Sequence, residues 1–430
     1  MMDVLRGGVG ILVLVGVAFA CSVNRKRVNW WLVGKGLLLQ LVIGVLILKV
    51  PTFYRFFESL SAGFVQLIGY TEAGSGFVFG SGLITEQKLG FIVAFKVLPI
   101  IIFFSALSSG LYYLGVLQLV VRALAWVMIR TIGVSGYEAL SAAGNIFLGQ
   151  TEAPLLIKPF MPRLTRSQLF CIMTGGMATI AGSVMGAYIY MLGGESKSQQ
   201  VFFATHLLTA SLLNAPAALI ISKIMIPDDT AEGQAYHSLT LDAERPGENL
   251  LHALAIGAAD GLKLAALVGG MLIAFLALVA AINDFLSAVP GTLLGLNPLI
   301  AESTGGKFTT LSLDYIFGQL FRPLAWAAGV DWADTLAVGG LLGKKVALNE
   351  FVAYETLASY PPGFISEKSR LIVTYALCGF ANLGSIAIQI GGLGALAPQR
   401  TGEVSALGLR AVLAGSLATL LSGTIAGLLY

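Results

Sequence analysis

Long apolar runs separated by short polar breaks dominate the chain, and the runs are of two kinds. Eight are continuous enough to cross a bilayer: Gly7 to Val23, Trp30 to Leu48, Gly90 to Leu107, Gln168 to Leu192, Val201 to Ile226, Ala253 to Ile282, Leu371 to Leu393 and Ala406 to Tyr430. A helix of about 20 apolar residues spans the hydrocarbon core. Two further stretches, Leu140 to Phe160 and Trp332 to Tyr360, are apolar but interrupted by Gly, Pro and polar residues. Each reads as two half-helices meeting at a polar tip. Non-helical backbone at membrane depth persists only where protein buries it or it lines a cavity, so both predict re-entrant hairpins. Tyr54 to Val65, Val116 to Ile132 and Leu313 to Ala328 carry Arg, Tyr or Trp at their edges and read as interfacial helices. The expected fold is an all-α polytopic membrane protein with eight transmembrane helices, two re-entrant helical hairpins and interfacial helices.

Composition sharpens the class. Hydrophobic residues make up 56% of the 430 and charged residues 11%, with a mean hydropathy of +0.83. A soluble domain carries about 25% charge. The net charge is only +3 and no basic run resembles a nucleic-acid tract, so nucleic acid is not an expected partner. Cys21, Cys171 and Cys378 fall in apolar segments and form no disulfide framework. Arg25, Lys26 and Arg27 follow the first apolar run, against Arg6 alone before it. Basic residues stay cytoplasmic, so this run reads as an uncleaved span with its N-terminus outside. Alternating from there, the first hairpin enters from the cytoplasm, flanked by Arg122, Arg130, Lys158, Arg163 and Arg166, and the second enters from outside. The acidic loop Pro227 to Asn249 then falls on the cytoplasmic side.

The chain also echoes itself. Gly176-Met-Ala-Thr-Ile-Ala-Gly-Ser183 parallels Gly379-Phe-Ala-Asn-Leu-Gly-Ser385. Each follows a hairpin with a glutamate at its tip, and each precedes another long span. The single span Ala253 to Ile282 separates the two units, which makes them inverted. Inverted repeats with discontinuous helices near the midplane mark secondary transporters. Gly and Ser clusters also serve close helix packing; what turns the reading towards function is that both are coupled to polar hairpins. Those tips carry Glu152, in Gly149-Gln-Thr-Glu-Ala-Pro154, and Glu350, in Asn349-Glu-Phe-Val-Ala-Tyr354. An ionisable group at this depth costs about 2.5–3.5 kcal/mol on insertion scales, and persists where it meets a partner or a solute.

Three of these segments carry a family resemblance. Gly149-Gln-Thr-Glu-Ala-Pro-Leu-Leu-Ile157, Gly343-Lys-Lys-Val-Ala-Leu-Asn-Glu-Phe-Val-Ala-Tyr354 and Cys378-Gly-Phe-Ala-Asn-Leu-Gly-Ser385 resemble, in order, the signatures of the concentrative nucleoside transporters. The resemblance covers about Gly90 to Tyr430 and fits the eight-span bacterial form. It implies a multi-pass protein of the bacterial inner membrane, a homotrimer in the lipid bilayer, with a site in each protomer. It also implies a nucleoside substrate, a sodium ion or proton as the coupling ion, no other cofactor, and a transport unit moving like an elevator against a scaffold. In this sequence residues 1–115 would be scaffold spans 1–3 with interfacial helices, 116–226 the first transport repeat, 227–249 the polar loop, 250–285 scaffold span 6 and 286–430 the second transport repeat. By matching position Gln150, Thr151 and Glu152 would read the nucleobase, with Val184 beside it. Glu350, Asn382 and Ser385 would hold the ribose hydroxyls, and Phe380 would line the sugar pocket. An amide offers both donor and acceptor to a base edge, and a carboxylate accepts two hydroxyl bonds. Sodium, a hard cation, takes oxygen ligands; the matching positions are the Asn145 side chain, the Leu148 and Ile180 carbonyls and Thr179, where the family often has Ser.

Other candidates read more plainly. Lys35 and Lys263 sit in predicted spans and snorkel to an interface. Lys344 and Lys345 follow Gly343 without the Ser or Thr and glycine spacing of a P-loop, and flank the second hairpin. His206, His237 and His252 are scattered with no ligand-spaced partner. No Ser/His or Cys/His pairing or metal cluster stands beside either glutamate, so the chain is not expected to be an enzyme. A channel is the remaining competitor, and opposed hairpins suit a closed midplane site better than a continuous pore.

Overall fold

The computed structural model describes residues 2–80, 92–228 and 246–430. The start of the predicted third span and most of the loop Pro227 to Asn249 lie outside them. The described residues are helical, without strands. The N-terminal part comprises α1 (Met2–Ala20), α2 (Trp30–Lys49), α3 (Pro51–Phe79), the short α4 (Val93–Lys96), α5 (Leu98–Tyr113) and α6 (Val116–Thr131). A first unit follows: α7 (Gly136–Gly144), a 3-10 segment (Ala153–Arg163), α8 (Arg166–Ala178), α9 (Gly182–Gly193) and α10 (Lys197–Met225). After α11 (Leu250–Leu286), α12 (Leu296–Ser303) and α13 (Leu313–Ala327), a second unit repeats the order: α14 (Thr335–Ala347), α15 (Glu350–Ser359), α16 (Glu367–Leu377), α17 (Leu383–Leu396) and α18 (Thr401–Leu428).

Burial divides the helices into a core and a periphery. In the apolar windows of α8–α9 and of α10, 94% and 89% of residues are buried, against 22% along α11. In the second unit α18 packs on α8 and α10, and α16 on α10 and α18, which completes the centre. The periphery is apolar and bare: Leu12, Trp31, Leu38, Phe77, Leu262, Leu267 and Ile273 are all exposed. A water-soluble surface scatters such residues singly; here they are the outer faces of helices whose backbone is satisfied internally, the condition lipid imposes. Among the described residues six helical stretches are long and apolar enough to cross a membrane, and two shorter ones, Arg6–Ala20 and Leu383–Leu396, are apolar.

Two close seams position these layers. Gly257 and Gly261 on α11 press against Ser105, Ala106 and Ser109 of α5, where a Cβ would stand 2.6 Å from the Ser105 carbonyl oxygen and from Ser109 Cβ. Small residues four apart let two helix backbones approach in this way. Gly339, Gly340 and Gly343 on α14 do the same against Gly318, Asp314 and Phe317 of α13.

Three predicted elements differ in extent. The interfacial segment expected at Tyr54 to Val65 is part of the first half of α3, which runs 29 residues because Pro51 starts it and no further proline intervenes before Gly80, at φ 89°. The third span is interrupted between α4 and α5, just before Pro99. The second arm of the first hairpin is a 3-10 segment and not an α-helix. Pro154 opens it, Pro159 and Pro162 fall inside, and Ile157 departs from helical dihedrals at φ −124°, ψ 17°. Each proline removes an N–H and obstructs an α-helical turn.

Candidate functional site

The first polar tip is built by the end of α7. Ser135 and Glu138 form a capping box that starts the helix: the Glu138 N–H donates to Ser135 Oγ, and the Ser135 N–H to Glu138 Oε2 at 3.1 Å. The helix stops at Gly144 and the chain turns through Asn145 to Glu152. The Gly149 N–H donates to Glu152 Oε2 (3.1 Å), folding the tip back on itself, and the Gly182 N–H donates to the Phe147 carbonyl (2.9 Å). That second bond ties the tip to the break between α8 and α9.

The second tip uses a cap of another kind. Leu348 leaves the helical region, and Asn349 restarts the chain as α15 by accepting from the Val352 N–H at 3.0 Å. Glu350 is therefore the first residue of α15, where the helix dipole favours a carboxylate. Its Oε1 accepts from the Tyr188 hydroxyl (2.8 Å) and its Oε2 from Asn382 Nδ2 (3.1 Å). Asn382 Oδ1 in turn caps α17 by accepting from the Ser385 N–H (2.8 Å), and Ser385 Oγ accepts from Gln150 Nε2 (3.2 Å). One chain of hydrogen bonds thus links both tips with the second helix break and, through Tyr188, with α9. The breaks themselves cross: the Phe380 N–H donates to the Thr179 carbonyl at 3.2 Å, and a Cβ on Gly379 would stand 2.8 Å from the Ala178 carbonyl oxygen.

These groups face a cavity of about 890 Å³, within the range of about 300–1,000 Å³ usual for small-molecule sites. Gln150, Thr151, Glu152, Val184, Glu350, Phe380, Asn382 and Ser385, all eight residues matched to substrate contacts, line it, as does Leu148. Asn145, Thr179 and Ile180 are not in the lining and lie buried behind it. Asn145 is 0% exposed, and neither its Nδ2 nor its Oδ1 has a partner. Thr179 Oγ1 donates to the Gly175 carbonyl (2.9 Å), which leaves its lone pairs free. Unpaired buried amide atoms beside a helix break are unusual, and the Oδ1 is a neutral oxygen of the kind a hard cation takes. Among the described residues no cluster of three His, Cys, Asp or Glu side chains could hold a metal ion.

Sequence reasoning passed over several residues of this site. Tyr188 reaches Glu350 across 162 positions, and Gln389 Nε2 donates to the Met173 carbonyl (2.9 Å) while its Oε1 stays unpaired. Neither carries a local signal, since each looks like a core residue until the fold brings its partner. Asp260 and Lys263 of α11 also line the cavity and pair at 3.4 Å. Lys263 therefore has an acidic partner on an otherwise apolar wall of the cavity. Lys344 and Lys345 are buried, Lys344 pairing with Asp314 of α13 at 2.8 Å.

Broken helices, paired polar tips and a cavity walled by them define a polytopic membrane protein of the secondary-transporter class. Comparisons with known proteins narrow this. Residues 206–427 match the profile of the Na+ dependent nucleoside transporter C-terminus, 9–82 that of its N-terminus and 94–195 a nucleoside-recognition Gate profile. An uncharacterized transporter of Haemophilus influenzae is 44% identical over 99% of this chain and 98% of its own length. The putative nucleoside permease NupX of Escherichia coli is 39% identical over 99% of both. Sodium/nucleoside cotransporter 1 of Rattus norvegicus is 40% identical over 98% of this chain, which spans 63% of that longer protein. Among solved structures, CNTnw in an inward-facing substrate-bound state superposes with a TM-score of 0.87 at 38% identity, over 100% of both chains. The chain belongs to the concentrative nucleoside transporter family, a family of transporters and not of enzymes.

Proposed function

We propose that the protein imports nucleosides across the bacterial inner membrane by symport with a cation, sodium in preference to the proton. The observation that carries this reading is the single cavity onto which Glu152 and Glu350 both open, joined by the Gln150–Ser385–Asn382–Glu350 hydrogen bonds. A nucleoside presents a flat base with donors and acceptors and a ribose with vicinal hydroxyls. Gln150, Thr151 and Glu152 take the base edge, Val184 packs beside it, and Phe380 flanks the sugar. Glu350, already held by Tyr188 and Asn382, accepts the ribose hydroxyls, with Ser385 completing the set. Sodium takes the Asn145 side chain, the Leu148 and Ile180 carbonyls and Thr179. Its binding fixes the first tip, and so favours the substrate site that tip helps to form. A proton is the second reading, favoured by Glu152, whose carboxyl faces the cavity with the Gly149 N–H as its hydrogen-bond donor.

In this reading the chain makes eight spans and two re-entrant hairpins. Residues 1–115 and 250–285 form a scaffold that assembles as a homotrimer, and 116–226 with 286–430 form a unit that carries the site across as an elevator does. The cavity runs to Lys158, Pro246 and Ile256, the end that the basic flanks of the first hairpin assign to the cytoplasm, so this conformation faces inward. The test is uptake of radiolabelled uridine into proteoliposomes under an inward sodium gradient, with choline replacing sodium at fixed pH. Saturable accumulation that collapses in choline and is lost in Glu350→Gln supports the reading. Full uptake in choline that follows a proton gradient selects proton coupling, and near-normal uptake by Glu350→Gln and Glu152→Gln removes the site assignment.

A further inference from the structure

The two units treat the end of their broken helix differently. In each, the first arm of the hairpin (α7, α14) packs on the half-helix that follows it (α8, α16). In each, that half-helix stops with its last carbonyls short of intrahelical donors and at the negative end of its dipole. Beside the end of α8 stands Asn145, uncharged, with both side-chain polar atoms unpaired; its Nδ2 lies 3.1 Å from where a Cβ on Gly175 would be. Beside the end of α16 stands Lys345, 1% exposed. Its Nζ donates to the Ala376 carbonyl (2.8 Å) and to Thr419 Oγ1 (2.9 Å). The neighbouring carbonyls there are also taken by side chains, Thr374 by the Tyr354 hydroxyl (2.8 Å) and Cys378 by Asn214 Nδ2 (2.6 Å). Thr419 and Thr179 match in use as well: each hydroxyl donates to a backbone carbonyl, Ser416 (3.1 Å) and Gly175 (2.9 Å), and so turns its lone pairs to the site.

We propose that Lys345 is a tethered cation. Its ammonium fills, at the second helix break, the kind of place that the first break leaves open for a free ion. A lysine headgroup and a small monovalent cation ask for the same thing, two or more neutral oxygens at a helix C-terminus, and only the lysine supplies its charge without exchange. Two consequences follow. The second unit is permanently in its ion-bound form, which keeps Glu350, five positions on along the same hairpin, poised for substrate. The first unit alone responds to the ion gradient. Lys345 touches no substrate and is a positioning residue. The proposal rests on the sodium reading only for the identity of the free ion.

Equilibrium binding of radiolabelled uridine to the purified full-length protein tests it, in sodium, choline and methylammonium chlorides. Lys345→Met keeps the length and removes the charge; it is expected to weaken binding roughly tenfold or more in every medium, the scale of one charge-assisted hydrogen bond. Lys345→Ala is expected to lose as much in choline and to recover when methylammonium occupies the vacated oxygens. Lys345→Met within about twofold of wild type, or Lys345→Ala that no added cation restores, overturns the proposal; the second result makes the lysine a packing residue only. Should neither variant remain monodisperse, the wild-type sodium dependence decides. A Hill coefficient close to one supports a single exchangeable ion, and a value close to two overturns it. Wild-type binding indifferent to sodium would remove the coupling reading above, while methylammonium rescue of Lys345→Ala would still decide for or against the tethered cation.

Discussion

At the scale of single residues, Glu350 shows how the site makes a costly group useful. A buried carboxylate is tolerable when its lone pairs are filled, and here Tyr188 and Asn382 each fill one while leaving others for a solute. Tyr188 is itself fully buried and wedged against the rings of Phe351 and Tyr354, at 4.7 Å between centroids in both cases. Its hydroxyl is therefore aimed by packing and not by chance. Tyr188→Phe preserves that packing and deletes one donor. We expect the uridine concentration for half-maximal uptake to rise about tenfold, the scale of one hydrogen bond to a charged group, with the melting temperature nearly unchanged. An unaltered half-saturation concentration would mean that Asn382 alone orients the carboxylate. Residues like Glu350 and Glu152 were legible in the sequence because charge in an apolar run stands out. Tyr188 was not, because an aromatic in an apolar helix looks the same whether it packs or donates.

Helix ends and the two polar tips were legible where Gly, Pro and polar residues interrupt the apolar pattern. Both helix breaks fall within the small-residue segments that flag them, at Thr179 to Ala181 and at Cys378 to Asn382. What the pattern did not show is how each element is fastened. The base of the first hairpin is held by Lys223 of α10, whose Nζ lies 2.5 Å from Glu138 Oε1 and 2.6 Å from Asp228, with Ser167 Oγ at 3.2 Å. Lys223 and Glu138 are 4% and 1% exposed, and 85 positions separate them in the sequence, so no local window could pair them. The same Glu138 closes the capping box that starts α7. Removing one partner of a buried ion pair strands the other, at a cost of about 3–5 kcal/mol. Lys223→Met is accordingly expected to lower thermal stability in detergent markedly, and Lys223→Met with Glu138→Gln to recover a large part of the loss. If the double variant is no more stable than the single, the pair is not what anchors the hairpin.

For the whole molecule, the repeated order of elements was legible in the sequence, but not how the N-terminal part touches the two repeated units, since those contacts join residues far apart along the chain. One such contact is visible. Lys96, at the end of α4 in the N-terminal part, pairs with Glu195 in the turn between α9 and α10, and Glu195 also accepts from the Tyr190 hydroxyl at 3.0 Å. On the elevator reading these two residues belong to scaffold and transport unit, on the face opposite the cavity mouth, so the pair latches the inward-facing state. The Lys96 hydrogen bond, outweighing partial burial, holds the Glu195 carboxyl below its ordinary value of 4.5. A carboxylate depressed in this way contributes its stabilisation at pH values above that ordinary value, and loses it as the pH falls through the lowered one. Glu195 is 69% exposed, so the latch is worth only the about 0.2–1 kcal/mol of a surface pair. That is enough to shift a two-state balance by roughly 1.4- to 5-fold. Glu195→Gln should move the population away from the inward-facing state by that factor at pH 7, read as altered accessibility of a cysteine placed at the cavity mouth, and should make the balance insensitive to acid below pH 5. If Glu195→Gln and wild type give the same accessibility at both pH values, the contact is incidental to the transport cycle.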